Sequence, residues 1–99
     1  MEDLLFEARE EIRAADEEMA ALFVRRMTAV KKVAAIKSAL GLPITDEKQE
    51  RRVIERGAKL VTDPELQDYY IRYIKNLMEI SKSYQRALAE TDAKDGESL

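Results

Sequence analysis

The chain has 99 residues, of which 45% are hydrophobic and 37% charged, and its net charge is −3. This composition is typical of one soluble helical domain, and no basic block indicates binding to nucleic acid or an anionic membrane. No apolar run approaches the roughly 18 residues of a membrane span and the N-terminus lacks the basic start of a signal peptide, so we expect a cytoplasmic location. Cysteine and histidine are both absent, which excludes thiolate nucleophiles, Ser-His-Asp triads and zinc sites with sulfur or imidazole ligands. We therefore expect no cofactor and no metal, and catalysis must rest on charges and hydrogen bonds.

A long first helix is predicted from Glu2 to Leu40, a stretch without glycine or proline that is rich in good helix formers. Gly41 fits a C-cap and Pro43 prevents continuation. The helical spacing of three and four residues is seen in the apolar positions Leu5, Ala8, Ile12, Ala15, Met19, Leu22, Val30, Val33 and Leu40.

The length of this helix indicates a partner chain. About 38 residues at 1.5 Å each make a rod of roughly 57 Å, whereas a compact chain of this size has a radius of gyration of about 13 Å. Two shorter helices cannot cover such a rod, so its apolar face must be buried by another molecule. We predict a symmetric homodimer.

A second helix is predicted to begin at Thr45 or Asp46, because Asp46 and Gln49 have the form of a capping box. Its apolar positions are Val53, Ile54, and Leu60 or Val61.

The third helix is predicted to begin in the segment Thr62-Asp63-Pro64-Glu65 and to end near Ala89. Its core face is expected to contain Leu66, Tyr70, Ile74, Leu77, Tyr84 and Leu88. The polar stretch 91–99 is expected to be a disordered tail, which leaves residues 1–90 as the domain.

Polar side chains interrupt all three apolar faces. Arg26 and Lys37 are 11 residues apart, about three helical turns, and therefore share a face of the first helix. Glu50 lies on the inner face of the second helix, and Ser81 and Gln85 continue the inner face of the third. Because a buried charge is costly unless paired, this coincidence indicates a shared polar ligand.

Each residue alone also has a purely structural interpretation. Arg26 and Lys37 could extend from the edge of a stripe to solvent. Asp46 could act only as a helix cap, and Glu50 could pair with a neighbouring Arg or Lys. Ser81 could bond back to its own helix.

Taken in order, these residues resemble the all-helical chorismate mutases over roughly residues 4–88. The resemblance implies an all-α fold of three helices, assembled as an intertwined antiparallel homodimeric bundle. It is carried by Leu4, Leu5, Arg9, Ile12, Asp16, Arg25, Arg26, Lys37, Pro43, Asp46, Glu50, Arg51, Ser81 and Gln85.

The resemblance implies that chorismate is held by its two carboxylates. Arg26 would bind one of them, Arg9 would bind the other from across the dimer, and Ser81 would add a hydrogen bond to a carboxylate. Arg9 and Arg26 are 17 residues apart, roughly 26 Å along a helix, which is too far for both to bind one small dianion from the same chain.

The resemblance also implies rearrangement of chorismate to prephenate, a step of aromatic amino-acid biosynthesis. Lys37 and Gln85 would hydrogen-bond the ether oxygen of the breaking bond. Glu50 and Asp46 would hold the ring hydroxyl.

One position departs from the family pattern, since Gln49 stands where an arginine usually precedes the motif glutamate. Lys48 or Arg52 could substitute for that cation. Two alternatives follow: an isochorismate pyruvate lyase of the same fold, which generally lacks the pair formed by Asp46 and Glu50, or a non-catalytic dimerisation module. The module predicts that the inward Arg and Lys residues and Glu50 are solvent-exposed. A mutase domain normally fused to another pathway enzyme is also compatible with the sequence.

Overall fold

The computed structural model describes the backbone of residues 1–97 and the side chains of residues 1–92. It contains three helices, α1 (Glu2–Leu40), α2 (Glu47–Leu60) and α3 (Pro64–Glu97), and no strand within the described residues. The predicted all-α, three-helix fold and the bounds of the first helix are confirmed. No helix in the described part of the chain is long and apolar enough to cross a membrane.

The chain divides into two compact units, Met1–Val30 and Lys31–Leu99, and the boundary falls within α1. The first unit is the N-terminal part of α1, and none of its described residues is buried. Glu10 and Arg13 form a surface ion pair at 2.6 Å. Large apolar side chains remain exposed in this unit, namely Leu4, Leu5, Phe6, Ile12, Met19, Leu22, Phe23 and Val24. A helix gains little stability without packing, so this apolar surface is expected to be buried against another molecule.

Gly41 ends α1 as predicted. Its φ of +67° is left-handed, which glycine adopts without steric cost. The Gly41 amide donates to the carbonyl of Ser38 at 3.3 Å, and the Leu42 amide donates to the carbonyl of Lys37 at 2.8 Å. These two bonds form a Schellman motif, which satisfies carbonyls that the helix end would otherwise leave unpaired.

Asp46 caps the N-terminus of α2, confirming the predicted start. Its carboxylate Oδ1 accepts a hydrogen bond from the Gln49 amide at 3.1 Å. At the other end of α2 there is no glycine cap. Instead, Gln67 of α3 donates from Nε2 to the carbonyls of Ala58 at 3.2 Å and Val61 at 2.9 Å. The end of α2 is therefore fixed by a side chain of the next helix.

Asp63 begins α3, because its carboxylate accepts a hydrogen bond from the Glu65 amide at 2.9 Å and Pro64 occupies the first helical position. The predicted helix end near Ala89 is wrong, since α3 continues to Glu97. Residues 90–95 include no proline or glycine, so nothing in them stops the helix. Within the predicted tail, residues 91–97 are thus helical, whereas 98 and 99 lie outside the described residues. The division into a domain of residues 1–90 and a tail stays a prediction.

The core of the second unit lies between α2 and α3. Ile74 and Met78 are buried, and Gly57 is buried opposite Tyr70. A Cβ built on Gly57 would lie 2.6 Å from Cε1 of the Tyr70 ring, so that ring packs on α2 where the helix lacks a side chain. Of the two alternatives for the end of the α2 stripe, Val61 is half-buried and Leu60 is exposed. The predicted core position Leu66 is wrong, because its side chain is exposed.

Candidate active site

The residues that the sequence predicts for the site are distributed over both units. Arg9 and Arg26 belong to the first unit, where Arg9 is exposed and Arg26 half-buried. The second unit holds the other five, which are Lys37, Asp46, Glu50, Ser81 and Gln85.

Lys37 lies in the last turn of α1, and its half-buried side chain turns onto the loop that follows. Its ammonium donates one hydrogen bond, to the carbonyl of Ile44 at 2.8 Å. An ammonium has three N–H groups, and the other two have no acceptor within the described part of the chain. Lys37 is therefore a fixed cation with donors still available to a ligand.

Gln85 is buried on α3, with only 7% of its surface exposed. Its amide oxygen Oε1 is shielded from solvent and has no hydrogen-bond partner among the described residues. An unsatisfied buried polar atom costs about 1–3 kcal/mol. Such an atom marks a position that a donor from a bound ligand can complete.

Lys37 and Gln85 line the same cavity. Its volume is about 470 Å³, which is within the roughly 300–1,000 Å³ typical of sites for small molecules. Apolar side chains form much of the remaining wall, among them Ala34, Ala35, Leu42, Ile44 and Leu88. Lys31, Ser38 and Asp92 line it as well, so the cavity combines two cations, one carboxylate and a buried amide with an apolar wall, which strengthens electrostatic contacts to a bound ligand.

Asp46 lies at a second cavity of about 400 Å³, which Lys37 also lines. Since Leu42 and Pro43 line both cavities, the two depressions border each other. One carboxylate oxygen of Asp46 caps α2, as its structural interpretation predicts. The cap fixes the side chain beside the turn that Lys37 contacts.

Glu50 does not line either of the cavities that Lys37 lines. It faces a third cavity of about 630 Å³ between α2 and α3, which shares Arg51 with the second. Its Oε1 forms an ion pair with Lys82 of α3 at 2.8 Å. The pairing expected from the structural interpretation of Glu50 is present, although the cation comes from another helix.

Ser81 is buried, with 5% of its surface exposed. Its hydroxyl donates to the carbonyl of Leu77 at 2.9 Å, one turn earlier in α3. This is the bond to its own helix that the structural interpretation predicts. A donor role toward a carboxylate would require the hydroxyl to rotate away from Leu77.

Residues 8–86 match the chorismate mutase type II family. The chain belongs to that family. A chorismate mutase of Methanocaldococcus jannaschii is 32% identical to it over 97 residues, which cover 96% of this chain and 98% of that protein. No solved structure matches the chain. Family membership confirms the resemblance seen in the sequence and makes the chain an enzyme, an isomerase of the all-helical chorismate mutase class.

Lys82 lines the cavity that Glu50 faces, and the sequence does not reveal it directly. It follows Ser81, precedes Gln85 by one turn, and its side chain is only 16% exposed. Its spacing of four residues from the buried Met78 is the signal that could have found it. From the sequence, a lysine at this position is predicted to be solvent-exposed, because the rotational register of α3 against α2 is not known at that point.

Proposed function

We propose that the enzyme rearranges chorismate to prephenate in the cavity lined by Lys37 and Gln85. The observation that supports this site most directly is the buried Oε1 of Gln85, which has no partner among the described residues and lies in a residue that lines the same cavity as a lysine with free donors. The rearrangement breaks a carbon–oxygen bond and forms a carbon–carbon bond within one molecule. No proton, nucleophile or redox partner takes part, which agrees with a chain that lacks cysteine and histidine.

Lys37 is proposed to stabilise the transition state. Because the carbon–oxygen bond breaks ahead of carbon–carbon bond formation, the ether oxygen gains negative charge during the reaction. A cation held in place beforehand stabilises that charge more than it stabilises the ground state. The bond to Ile44 fixes the Lys37 ammonium without occupying all of its donors. The Nε2 group of Gln85 would donate a second hydrogen bond to the ether oxygen.

Glu50 and Asp46 are proposed to bind the ring hydroxyl of the substrate. Glu50 would reach it from the third cavity, which adjoins the cavity of Asp46 at Glu47 and Arg51. Both are carboxylates, which accept hydrogen bonds, and both lie near the N-terminal turn of α2. Each already has one oxygen engaged, Glu50 with Lys82 and Asp46 with the Gln49 amide. A carboxylate fixed by one oxygen presents the other in a defined direction.

In an intertwined homodimer, Arg26 is proposed to bind one substrate carboxylate and the partner's Arg9 the other. Ser81 is proposed to add a hydrogen bond to a carboxylate. Clamping both carboxylates would select the compact conformer from which the rearrangement proceeds. The exposed apolar side chains of the first unit support a homodimer, because they are too numerous for a helix that stays in water. The cytoplasmic location stays a prediction.

The burial of the charged residues favours catalysis over the non-catalytic module. That alternative predicts Arg26, Lys37 and Glu50 to be exposed, whereas each is half-buried. Charges are withdrawn from water only at a cost in free energy, which a binding site for a charged ligand explains.

The test of the activity is the loss of chorismate absorbance after adding the purified protein, with prephenate identified as the product. Saturable conversion is expected. If chorismate is unchanged and isochorismate yields pyruvate and salicylate, the lyase replaces the mutase; if neither reacts, the module does.

The test of the shared site is complementation between two inactive variants. Arg9→Ala and Lys37→Met are refolded together at equal amounts, so that about half of the dimers are mixed. With Arg9 acting across the dimer, each mixed dimer has one intact site and one doubly altered site, and about one quarter of the parent activity returns. If Arg9 acts within its own chain, no activity returns.

A further inference from the structure

Lys82 links the two helices that carry the polar residues of the second unit. Its ammonium lies 2.8 Å from Oε1 of Glu50 on α2 and 2.8 Å from Oε1 of Glu79 on α3. The side chain of Glu79 is 65% exposed, whereas those of Glu50 and Lys82 are 25% and 16% exposed. Lys82 therefore connects an inner carboxylate to an outer one.

This arrangement keeps Lys82 charged and oriented. The hydrogen bonds that the Lys82 ammonium donates, first to Glu50 and then to Glu79, raise its pKa above the ordinary value. The outer pair is the expendable one, because exposed ion pairs are screened by water and contribute little. The inner pair fixes the Glu50 carboxylate of α2 relative to α3.

No other cation can take this part among the described residues. Lys48 and Arg52 lie two positions from Glu50 on a helix and do not face it. Arg51 and Lys75 line the same cavity as Glu50, yet neither lies within ion-pair distance of it in the described part of the chain.

We infer that Lys82 is a positioning residue, which binds Oε1 of Glu50 and so directs the second oxygen, Oε2, toward the ring hydroxyl of chorismate. This inference rests on the proposed role of Glu50. Lys82 acts through Glu50 and does not itself touch the substrate. Its removal therefore matters only while the Glu50 carboxylate is present.

The experiment is a double-mutant cycle measured as kcat and KM for chorismate. Lys82→Met keeps the length of the side chain and removes the charge, and we expect kcat/KM to fall about tenfold, a size common for coupled neighbours. Lys82→Arg preserves the cation and should restore most of the activity. In a Glu50→Gln background, Lys82→Met should change kcat/KM by less than about twofold, because the carboxylate it positions is already gone.

Two control variants separate positioning from general effects of charge and folding. Lys59→Met removes an exposed lysine of α2 that lines none of the three cavities, and Glu79→Gln removes only the exposed partner; both should stay within about twofold of the parent. If Lys82→Met does not fold, as judged by circular dichroism, Lys82→Gln replaces it in the cycle.

The outcomes are distinct. Coupling between Lys82 and Glu50 together with rescue by arginine supports the inference. Independent effects that multiply, or a Lys82→Met variant as active as the parent, overturn it while chorismate turnover by the parent leaves the proposed function standing. No turnover by the parent overturns both.

Discussion

Gln85 should contribute to catalysis at the expense of stability, and replacing it by leucine should reveal both effects. Its Oε1 is buried without a partner, which costs about 1–3 kcal/mol in the folded chain. Leucine has a similar volume and no polar atom, so Gln85→Leu removes that cost and adds apolar burial. We expect the free energy of unfolding to rise by about 1–2 kcal/mol. We expect kcat to fall on the order of a hundredfold, since the Nε2 group that donates to the ether oxygen in the transition state is lost as well.

Gln67→Leu provides the matched control, with the same substitution in the same helix. The Gln67 amide donates to two carbonyls at the end of α2. Its loss should lower the free energy of unfolding by about 1–3 kcal/mol, at about 0.5–1.5 kcal/mol for each bond, and leave kcat unchanged.

Urea unfolding at fixed protein concentration and initial rates with chorismate measure the two quantities. Opposite stability changes for the two leucine variants are the expected result. If Gln85→Leu destabilises the fold as Gln67→Leu does, then Oε1 is paired in solution and the reasoning fails. If it keeps the parent's kcat, Gln85 is not part of the reaction site.

Three further outcomes are expected. Lys37→Ala should lower kcat by at least about a hundredfold in the chorismate assay; a rate near that of the parent would exclude the proposed role of its ammonium. Gly57→Ala should lower the urea-unfolding free energy by about 1–3 kcal/mol because its methyl group overlaps the Tyr70 ring, and Tyr70→Leu in the same chain should reduce that loss, whereas an equal loss would place the strain elsewhere. Activity should be flat from about pH 6 to 8. The pKa of Lys82 is raised, so the stability that its charge contributes is lost only as pH rises above about 10.5. The hydrogen bond from Lys82 lowers the pKa of Glu79, so the stability that this carboxylate contributes is lost only below about pH 4.5. A sharp step in rate within that window would show that another group titrates.

Most helix ends were predictable because their signals are local. Gly41, Asp46 and Asp63 each act on backbone groups within a few residues, so the sequence nearby contains the whole cause. The end of α3 was not predictable in this way, since a polar composition alone does not stop a helix that lacks a proline or an early glycine.

The contacts between helices were harder to foresee. The pairs formed by Gly57 with Tyr70 and by Glu50 with Lys82 depend on the rotational register of α2 against α3. That register is set by the sum of many weak contacts, so a periodic pattern shows which face is inward but not which residues meet. Lys82 was missed for this reason.

The turn after α1 differs from an ordinary surface loop in what it would tolerate. The carbonyl of Lys37 closes the helix by accepting from Leu42, while its ammonium reaches over the same turn to Ile44. Terminating the helix and aiming the cation are thus tasks of one short segment. Inserting a longer connection between Gly41 and Ile44 would leave both helices able to form but would misdirect the Lys37 ammonium. The length of this turn is therefore constrained by the chemistry of the site as well as by folding.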